Sequence, residues 1–250
     1  MTNKTEGIKF KVKRQDCPES KSYNQEFEVP YEHGMNVISL LMATRQFPKD
    51  TQGKDATPVS FESACLEEVC GSCTMVINGK VQQACTALVD NLSHPISIAP
   101  MTKFPVQRDL MVDRSNMFEA LKKVKAWIQV DGVYDLGEGP RVDPSIQEEN
   151  YSLSRCMTCG CCLEACPQWT NDNGFIGAQA ISQAVLFNSH PNGQSTKDER
   201  TSALIENGLN NCGNAQECVK ACPKDIPLTD SIARANKEAT AFSIQSLLRN

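Results

Sequence analysis

Apolar and polar residues alternate in the first part of the chain, as they do in half-buried β-strands. The segments IKFKV, residues 8–12, and FEV, residues 27–29, place an apolar side chain at every second position, which predicts two strands. Asn36 then precedes residues 37–44, whose apolar positions follow helical spacing. A short helix capped by Asn36 is therefore predicted.

A hairpin and a further strand are predicted in the middle of the first half. The segment TMVINGKVQQ, residues 74–83, reads as a strand, an Asn-Gly turn and a return strand, which is the strongest short hairpin signal. PISIAP, residues 95–100, predicts another strand. Residues 114–128 have a helical pattern, and their lysines are assigned to a solvated face.

The pattern changes in the second half of the chain. Residues 131–149 are rich in glycine, proline and acidic side chains, which predicts a linker or a long surface crossover. Beyond them, helical patterns at residues 177–187, 198–208 and 229–248 are separated by cysteine-rich runs. The chain is therefore predicted to have an N-terminal strand-rich domain of about 110 residues and a C-terminal all-helical domain.

Composition narrows the class of protein. The 250 residues are 40% hydrophobic and 22% charged, and the formal net charge of −5 argues against nucleic acid as the main partner. The opening residues MTNKTEGIKF lack the apolar region of a secretory signal, and no stretch approaches the roughly 18 apolar residues of a membrane helix. We expect a soluble or peripheral protein that is not exported.

The thirteen cysteines narrow the class of protein more than any other feature of the sequence. Thiols of an unexported protein stay reduced, so this number indicates metal ligation rather than disulfides. Only Cys17 stands alone, and the others form three groups. The grouped cysteines lie at positions 65, 70, 73 and 85, then 156, 159, 161, 162 and 166, and finally 212, 218 and 222.

The first group has the spacing Cys-x4-Cys-x2-Cys-x11-Cys and comprises Cys65, Cys70, Cys73 and Cys85. Its opening is the plant-type 2Fe–2S ferredoxin signature, with a fourth ligand further along the chain. Gly71 and Ser72 make a tight loop, which is expected to turn backbone N–H groups toward the cluster sulfurs. Zinc is the alternative, but zinc sites prefer two Cys-x2-Cys pairs and only one is present here.

The second and third groups form a pair of related runs. CMTCGCCLEACP, residues 156–167, contains the bacterial 4Fe–4S run, whose first three cysteines hold one cluster while the fourth ligates the other cluster of a pair. CGNAQECVKACP, residues 212–223, is the matching run, but Ala215 stands where its second cysteine would be. One iron without a thiolate is easily lost, so this cluster is predicted to be 3Fe–4S.

The ligand assignment follows from this register. The 4Fe–4S cluster is assigned Cys156, Cys159, Cys162 and Cys222. The 3Fe–4S cluster is assigned Cys166, Cys212 and Cys218. Cys17 and Cys161 are left over, and both are interpreted as packed small side chains rather than ligands.

With these motifs the sequence resembles the iron–sulfur subunit family of succinate dehydrogenase and fumarate reductase. Several segments look most similar to the succinate dehydrogenases of menaquinone-using bacteria. The segments that carry the resemblance are RQD (14–16), CLEEVCGSCTMVING (65–79), FPVQRDLMVDR (104–114), SRCMTCGCCLEACP (154–167), FIGAQA (175–180) and ECVKACPKDIPL (217–228). The resemblance implies an α+β protein with a 2Fe–2S ferredoxin-like β-grasp domain (1–112), a helix and linker (113–150) and an all-α 4Fe–4S/3Fe–4S ferredoxin domain (151–250).

The same resemblance implies an electron-transfer subunit that does not itself bind succinate. Succinate is oxidised at FAD on a separate flavoprotein subunit. Electrons then pass through the 2Fe–2S, 4Fe–4S and 3Fe–4S clusters to a quinone at the cytochrome b membrane anchor. The subunit is implied to be peripheral, on the cytoplasmic face of the bacterial cell membrane, with menaquinone as the acceptor.

Two positions match the quinone site that this family shares with its anchor. Pro167 follows Cys166, and the indole N–H of Trp169 can donate to a quinone oxygen or a bridging water, although the ring can equally pack at the anchor interface. Ubiquinone-type relatives often carry histidine after the ligand equivalent to Cys212. Gly213 at this position agrees with a menaquinone partner.

Two other functions compete with succinate oxidation. The first is fumarate reduction, since the cysteine pattern does not separate the two directions of the same reaction. The second is a subunit of a soluble thiol- or heterodisulfide-linked reductase, which shares the cluster domains. Such subunits usually carry additional cysteine-rich motifs, which this sequence lacks.

Overall fold

A computed structural model describes residues 7–129 and 141–249. The chain divides into two compact units, Met1–Arg114 and Ser115–Asn250. Most of the predicted linker, residues 131–140, lies outside the described residues.

The first unit is built on a five-stranded mixed sheet with the strand order β2-β1-β5-β3-β4. β1 pairs with β5 in parallel, and the other neighbours are antiparallel. The strands are β1 (Gly7–Arg14), β2 (Tyr23–Pro30), β3 (Thr74–Ile77), β4 (Lys80–Gln83) and β5 (Ile96–Ala99). A small separate hairpin follows, formed by β6 (Val106–Arg108) and β7 (Met111–Val112).

One face of the sheet packs on helix α1 (Val37–Gln46) to form the core of this unit. Every second residue of β1 is buried, so the apolar side chains between its lysines all point into the core. Phe10 and Phe27 stack there, with ring centroids 5.6 Å apart. Burying a side chain of this size stabilises the folded state by about 1.5–3 kcal/mol.

The turn and cap signals of the first unit are confirmed in detail. The Asn36 side chain accepts a hydrogen bond from the Ser39 backbone N–H at 2.9 Å, which caps α1. Asn78 and Gly79 join β3 to β4 with φ angles of 48° and 79°. Both central residues of this turn are therefore left-handed, as a two-residue hairpin turn of type I′ requires.

A buried ion pair fixes the end of β1. Arg14 is 1% exposed and binds the carboxylate of Asp109, itself 0% exposed, through hydrogen bonds of 3.0 and 2.8 Å. The guanidinium also donates to the carbonyls of Thr57 and Pro58, at 2.8 and 3.2 Å. Removing one partner of such a pair costs about 3–5 kcal/mol, because the other charge stays buried. The pair thus anchors the segment that leads to the first cysteine loop.

The second unit is helical, as the apolar pattern predicts. Its helices are α2 (Ser115–Lys123), α3 (Pro144–Ser154), α4 (Cys161–Ala165), α5 (Ala178–Ser189), α6 (Lys197–Glu206), α7 (Glu217–Lys220) and α8 (Leu228–Arg249). α5 lies at the centre, since it contacts α3, α6 and α8. Within residues 7–129 and 141–249, no helix combines the length and the apolar character that crossing a membrane requires.

The helix predicted over residues 114–128 is shorter than expected, because α2 ends at Lys123. Lys125 takes a left-handed conformation with φ of 49°. The Ala126 N–H donates back to the Leu121 carbonyl at 2.9 Å and closes the last turn. Lysine is a good helix former, so its sequence pattern gives no sign of this stop.

The linker prediction is wrong for its last residues, since α3 begins at Pro144. The Asp143 carboxylate accepts a hydrogen bond from the Ser145 N–H at 2.8 Å and caps the helix. Proline is well tolerated in the first turn, because its missing N–H would have no partner there. The glycine- and proline-rich composition of the segment obscured this start signal.

Candidate metal centres

The first cysteine loop turns backbone N–H groups toward one of its own sulfurs. The amides of Glu67, Val69 and Cys70 lie 3.4, 3.3 and 3.3 Å from the Sγ of Cys65. Two left-handed residues, Leu66 at φ 61° and Glu68 at φ 55°, make this convergence possible. Successive N–H groups arranged in this way form an anion-binding concavity. These N–H donors come before Gly71 and Ser72, the two residues at which the sequence had predicted the tight loop that turns N–H groups toward sulfur.

The thiols of this loop differ in how readily they ionise. The pKa of Cys70 is lowered to about 6, first by a hydrogen bond from Ser72 and then by the backbone N–H of Cys65. Burial raises the pKa of Cys73 to about 12, with the neighbouring Cys85 thiol as a further cause. The hydrogen bonds that Cys70 accepts favour its thiolate form. Cys73 and Cys85 lie side by side in a buried position, where a bound cation would favour their ionised forms.

Three polar side chains that the sequence analysis did not single out support the loop from behind. Arg114 donates to the Gly71 carbonyl at 2.8 Å and pairs with Glu62 at 2.5 Å. The Thr74 hydroxyl donates to the same carbonyl at 2.8 Å, and the Gln83 amide donates to that hydroxyl at 2.8 Å. Arg114 ends the segment FPVQRDLMVDR, which carried part of the resemblance without an assigned role.

The two cysteine runs of the second unit share one backbone conformation. The residues two positions after the first cysteine, Thr158 and Asn214, both have φ of 53°. Those two positions further on, Gly160 at 92° and Gln216 at 62°, are left-handed as well. Residues other than glycine seldom adopt such angles, so their occurrence at the same positions is evidence that the two runs have equivalent backbones. The backbone angles therefore make Ala215 the equivalent of Cys159, and this alignment does not depend on the cysteine spacing.

The helices after the two runs extend this match. α4 begins one residue after Gly160, and α7 begins one residue after Gln216. Each run then closes with a hydrogen bond of 3.2 Å, from the Cys166 N–H to the Leu163 carbonyl and from the Cys222 N–H to the Val219 carbonyl. The two cysteine runs thus have the same backbone structure.

The thiols of the second unit lie in two neighbouring sets. Burial raises the pKa of Cys162 well above its usual value, and the nearby thiols add to the effect in the order Cys159, Cys156, Cys222 and Cys218. Burial also raises the pKa of Cys218, to which the charges of Cys166 and Cys212 contribute. The last cysteine of each run therefore lies with the thiols of the other run. As ligand assignments, the two sets stay predictions.

One of these sets surrounds a small cavity of about 20 Å³. The thiols on its lining are those of Cys156, Cys159, Cys161, Cys162 and Cys222. Four of these five thiols, all except that of Cys161, are the assigned ligands, and thiols around an apolar space fit an iron–sulfur cluster, since thiolates are its usual ligands and a bound cation offsets their burial. Among the described residues, no group of three His, Cys, Asp or Glu side chains has the spacing of a site for one metal ion.

The two leftover cysteines have different environments. Cys161 is 0% exposed and lines the same cavity as the assigned ligands, so its interpretation as a packed side chain rather than a ligand stays a prediction. The same interpretation of Cys17 is wrong, because Cys17 is exposed. It lies in a turn after β1, where the Ser20 N–H donates to its carbonyl at 3.1 Å. This turn contributes nothing to the apolar core on which a packed cysteine would depend.

The quinone candidates lie on the segment between α4 and α5. Pro167 is exposed, whereas Trp169 is 5% exposed and lines an open groove with Asn116 and Phe175. Trp169 also packs closely on Gly177, where an added Cβ would come within 3.2 Å of the indole Cδ1 and 2.4 Å of the Leu163 side chain. The indole is therefore held by its own unit, and its role toward quinone stays a prediction.

Comparison with known proteins gives consistent matches over nearly the whole chain. Residues 9–119 match the model of the 2Fe–2S iron–sulfur cluster binding domain, and residues 152–226 match the 4Fe–4S dicluster domain. The chain is 55% identical over 232 residues to the succinate dehydrogenase iron–sulfur subunit of Bacillus subtilis, with 92% of each chain covered. It is 31% identical over 229 residues to the fumarate reductase iron–sulfur subunit of Wolinella succinogenes, with 90% and 92% covered.

A solved structure supports the fold. One chain of the Mycobacterium smegmatis Sdh1 complex in the apo form matches with a TM-score of 0.77. The match covers 95% of this chain and 97% of that one, at 23% sequence identity.

The fold and its cysteine loops define a two-domain iron–sulfur protein, with a ferredoxin-like β-grasp domain followed by a helical ferredoxin domain. The chain belongs to the family of iron–sulfur subunits of succinate dehydrogenase and fumarate reductase. Members of this family are the electron-transfer subunits of these oxidoreductase complexes, and the predicted family and fold class are confirmed.

Proposed function

We propose that this chain carries electrons one at a time from FAD on a flavoprotein subunit to menaquinone at a cytochrome b membrane anchor, in the direction of succinate oxidation. The route runs through 2Fe–2S, 4Fe–4S and 3Fe–4S clusters, and the subunit is peripheral on the cytoplasmic face of the cell membrane. The observation that best supports the proposal is the shared backbone of the two cysteine runs, because it makes Ala215 the equivalent of Cys159 and thereby supports a 3Fe–4S cluster at the end of the route.

The residues of the chain would hold three clusters. Cys65, Cys70, Cys73 and Cys85 would ligate the 2Fe–2S cluster, and the amides around the Cys65 sulfur would stabilise negative charge on it. Cys156, Cys159, Cys162 and Cys222 would ligate the 4Fe–4S cluster, and Cys166, Cys212 and Cys218 the 3Fe–4S cluster. When bound, these clusters supply one-electron oxidation and reduction. Five of the assigned ligands, Cys73, Cys85, Cys159, Cys162 and Cys218, are buried, which would limit the access of water to the clusters.

The direction of electron flow follows from the relatives. The match at 55% identity is a succinate dehydrogenase subunit, and the match to a fumarate reductase subunit is at 31% identity. Gly213 after Cys212 supports menaquinone as the acceptor. The Gln168 side chain lies beside Gly213, with its Nε2 2.5 Å from the position of an added Cβ, so any larger residue would have to displace this amide.

The test is an inventory of clusters in the complex purified with its flavoprotein and anchor. We expect iron and sulfide in amounts that match 2Fe, 4Fe and 3Fe clusters, and an electron paramagnetic resonance (EPR) signal of an oxidised 3Fe–4S cluster. The same preparation, assayed in both directions with a high-potential and a low-potential quinone, should be the more active in succinate oxidation. Zinc in place of iron, or a preparation that lacks the 3Fe signal, would contradict the proposal.

A second test concerns Trp169 and the quinone. We expect Trp169→Leu to slow quinone reduction at least several-fold, because a lost buried hydrogen bond costs about 1–3 kcal/mol. Succinate oxidation with an artificial acceptor that takes electrons before the quinone should continue. Trp127→Leu is the matched control, since Trp127 is 44% exposed. If Trp169→Leu releases the subunit from the membrane while quinone kinetics per bound enzyme stay unchanged, Trp169 is an interface anchor instead.

A further inference from the structure

One buried side chain near the thiols of Cys156, Cys159, Cys162 and Cys222 has no hydrogen-bond partner among the described residues. Gln179 lies in the first turn of α5 and is 1% exposed. Neither its Nε2 nor its Oε1 has a partner among the described residues. Gln183, one turn further along the same helix, shows the usual arrangement, since its amide donates to the Leu153 carbonyl at 3.1 Å. Burial of an unpaired amide destabilises the folded state, so Gln179 calls for an explanation.

The position of Gln179 supplies that explanation. It lines the same cavity as Cys156, Cys159, Cys162 and Cys222. Apart from the cysteines, the described side chains on this lining are mostly apolar, and the other charged or polar one, Lys224, is only half-buried and reaches solvent. The Gln179 amide is therefore a fully buried donor on the wall of a space surrounded by thiols.

We propose that the Gln179 side-chain amide donates a hydrogen bond to a sulfur of the 4Fe–4S cluster held in this cavity and thereby raises its reduction potential. The inference rests on the proposed function, which places a cluster there. A carboxamide carries two N–H donors, and cluster sulfurs accept hydrogen bonds. No solvent competes for the donor, because its atoms are buried.

The direction of the effect follows from charge. Reduction adds one electron to the cluster, so the sulfurs of the reduced state are more negative and accept a stronger hydrogen bond. A donor therefore stabilises the reduced cluster more than the oxidised one, and its loss makes the cluster harder to reduce. Gln179 would in this way set how readily the middle cluster of the proposed route takes up an electron.

Gln179→Leu tests this effect, because leucine keeps much of the volume and removes both N–H donors. A redox titration of the purified complex, followed by EPR, should show a lower midpoint potential for the 4Fe–4S cluster. We expect about a tenfold drop in the ratio of reduced to oxidised cluster at a fixed ambient potential, which is about 59 mV for one electron. The midpoints of the other two clusters should not move.

Gln183→Leu is the matched control, with the same substitution on the same helix. It removes the hydrogen bond to Leu153 and should lower the thermal stability without changing any midpoint potential. If Gln179→Leu keeps its cluster and leaves the potential unchanged, the proposal is wrong. A rise in thermal stability would then show that Gln179 is an unpaired amide in the core.

A measurement on the unmutated complex covers the case in which Gln179→Leu fails to load its cluster. Electron–nuclear double resonance on the reduced 4Fe–4S cluster, with ¹⁵N in the glutamine side-chain amides, should show a coupled amide nitrogen. Absence of that coupling would overturn the proposal while the cluster signal itself still upheld the proposed function. Absence of the 4Fe–4S signal from the unmutated complex would instead count against the proposed function.

Discussion

Cys70→Ala is expected to abolish the EPR signal of the 2Fe–2S cluster and to leave the 4Fe–4S and 3Fe–4S signals in place. Cys70 is one of the four cysteines assigned to this cluster, and hydrogen bonds lower its pKa to about 6, so the variant loses a ligand whose thiolate form is favoured. The thiols assigned to the other clusters belong to the compact unit Ser115–Asn250, whereas Cys70 belongs to Met1–Arg114. Electron flow from succinate to quinone should stop, because the first cluster of the proposed route is missing.

Cys17→Ala provides the control for this variant. Cys17 belongs to the same unit but is exposed in a turn, so its loss should leave all three signals and the quinone reductase activity unchanged. A folded Cys70→Ala protein that had lost every cluster signal would show that the two units do not assemble their clusters independently. The assignment of Cys70 to a separate cluster domain would then be wrong.

Local patterns predicted most of the first unit, because each of its signals depends on only a few neighbouring residues. The alternation in β1, the Asn36 cap and the Asn78-Gly79 turn were all legible in short segments. The sequence could not show the ion pair of Arg14 and Asp109, which joins positions 95 residues apart. It also gave no indication that Arg114 supports the first cysteine loop, since that contact depends on how the loop folds back.

The candidate site was predictable only as far as the cysteines define it. Their spacing defined the three groups, and the same spacing predicted that Ala215 is the equivalent of Cys159. The left-handed residues that shape the loops were not foreseeable, because most of them, such as Thr158 and Asn214, are not glycine. Gln179 gave no sequence signal either, since a glutamine in an apolar helix is recognised as unpaired only when its surroundings are known.

Ala215→Cys is expected to convert the proposed 3Fe–4S cluster to 4Fe–4S. The left-handed residues flanking this position match those flanking Cys159, so a cysteine here would occupy the place that Cys159 has in the first run. The new thiolate can hold a fourth iron and adds negative charge, which disfavours uptake of an electron and lowers the potential. Quinone reduction should slow, because the last step of the proposed route loses driving force.

EPR spectroscopy and a matched variant test this expectation. The oxidised 3Fe signal should disappear and a second reduced 4Fe signal should appear in its place. Ala221→Cys adds the same thiol to the same run, but its counterpart in the first run is Ala165, so it should leave the 3Fe signal intact. If Ala215→Cys loads iron normally and keeps its 3Fe signal, position 215 does not face the open corner of the cluster. The register of the second run, and the ligands assigned from it, would then have to be abandoned.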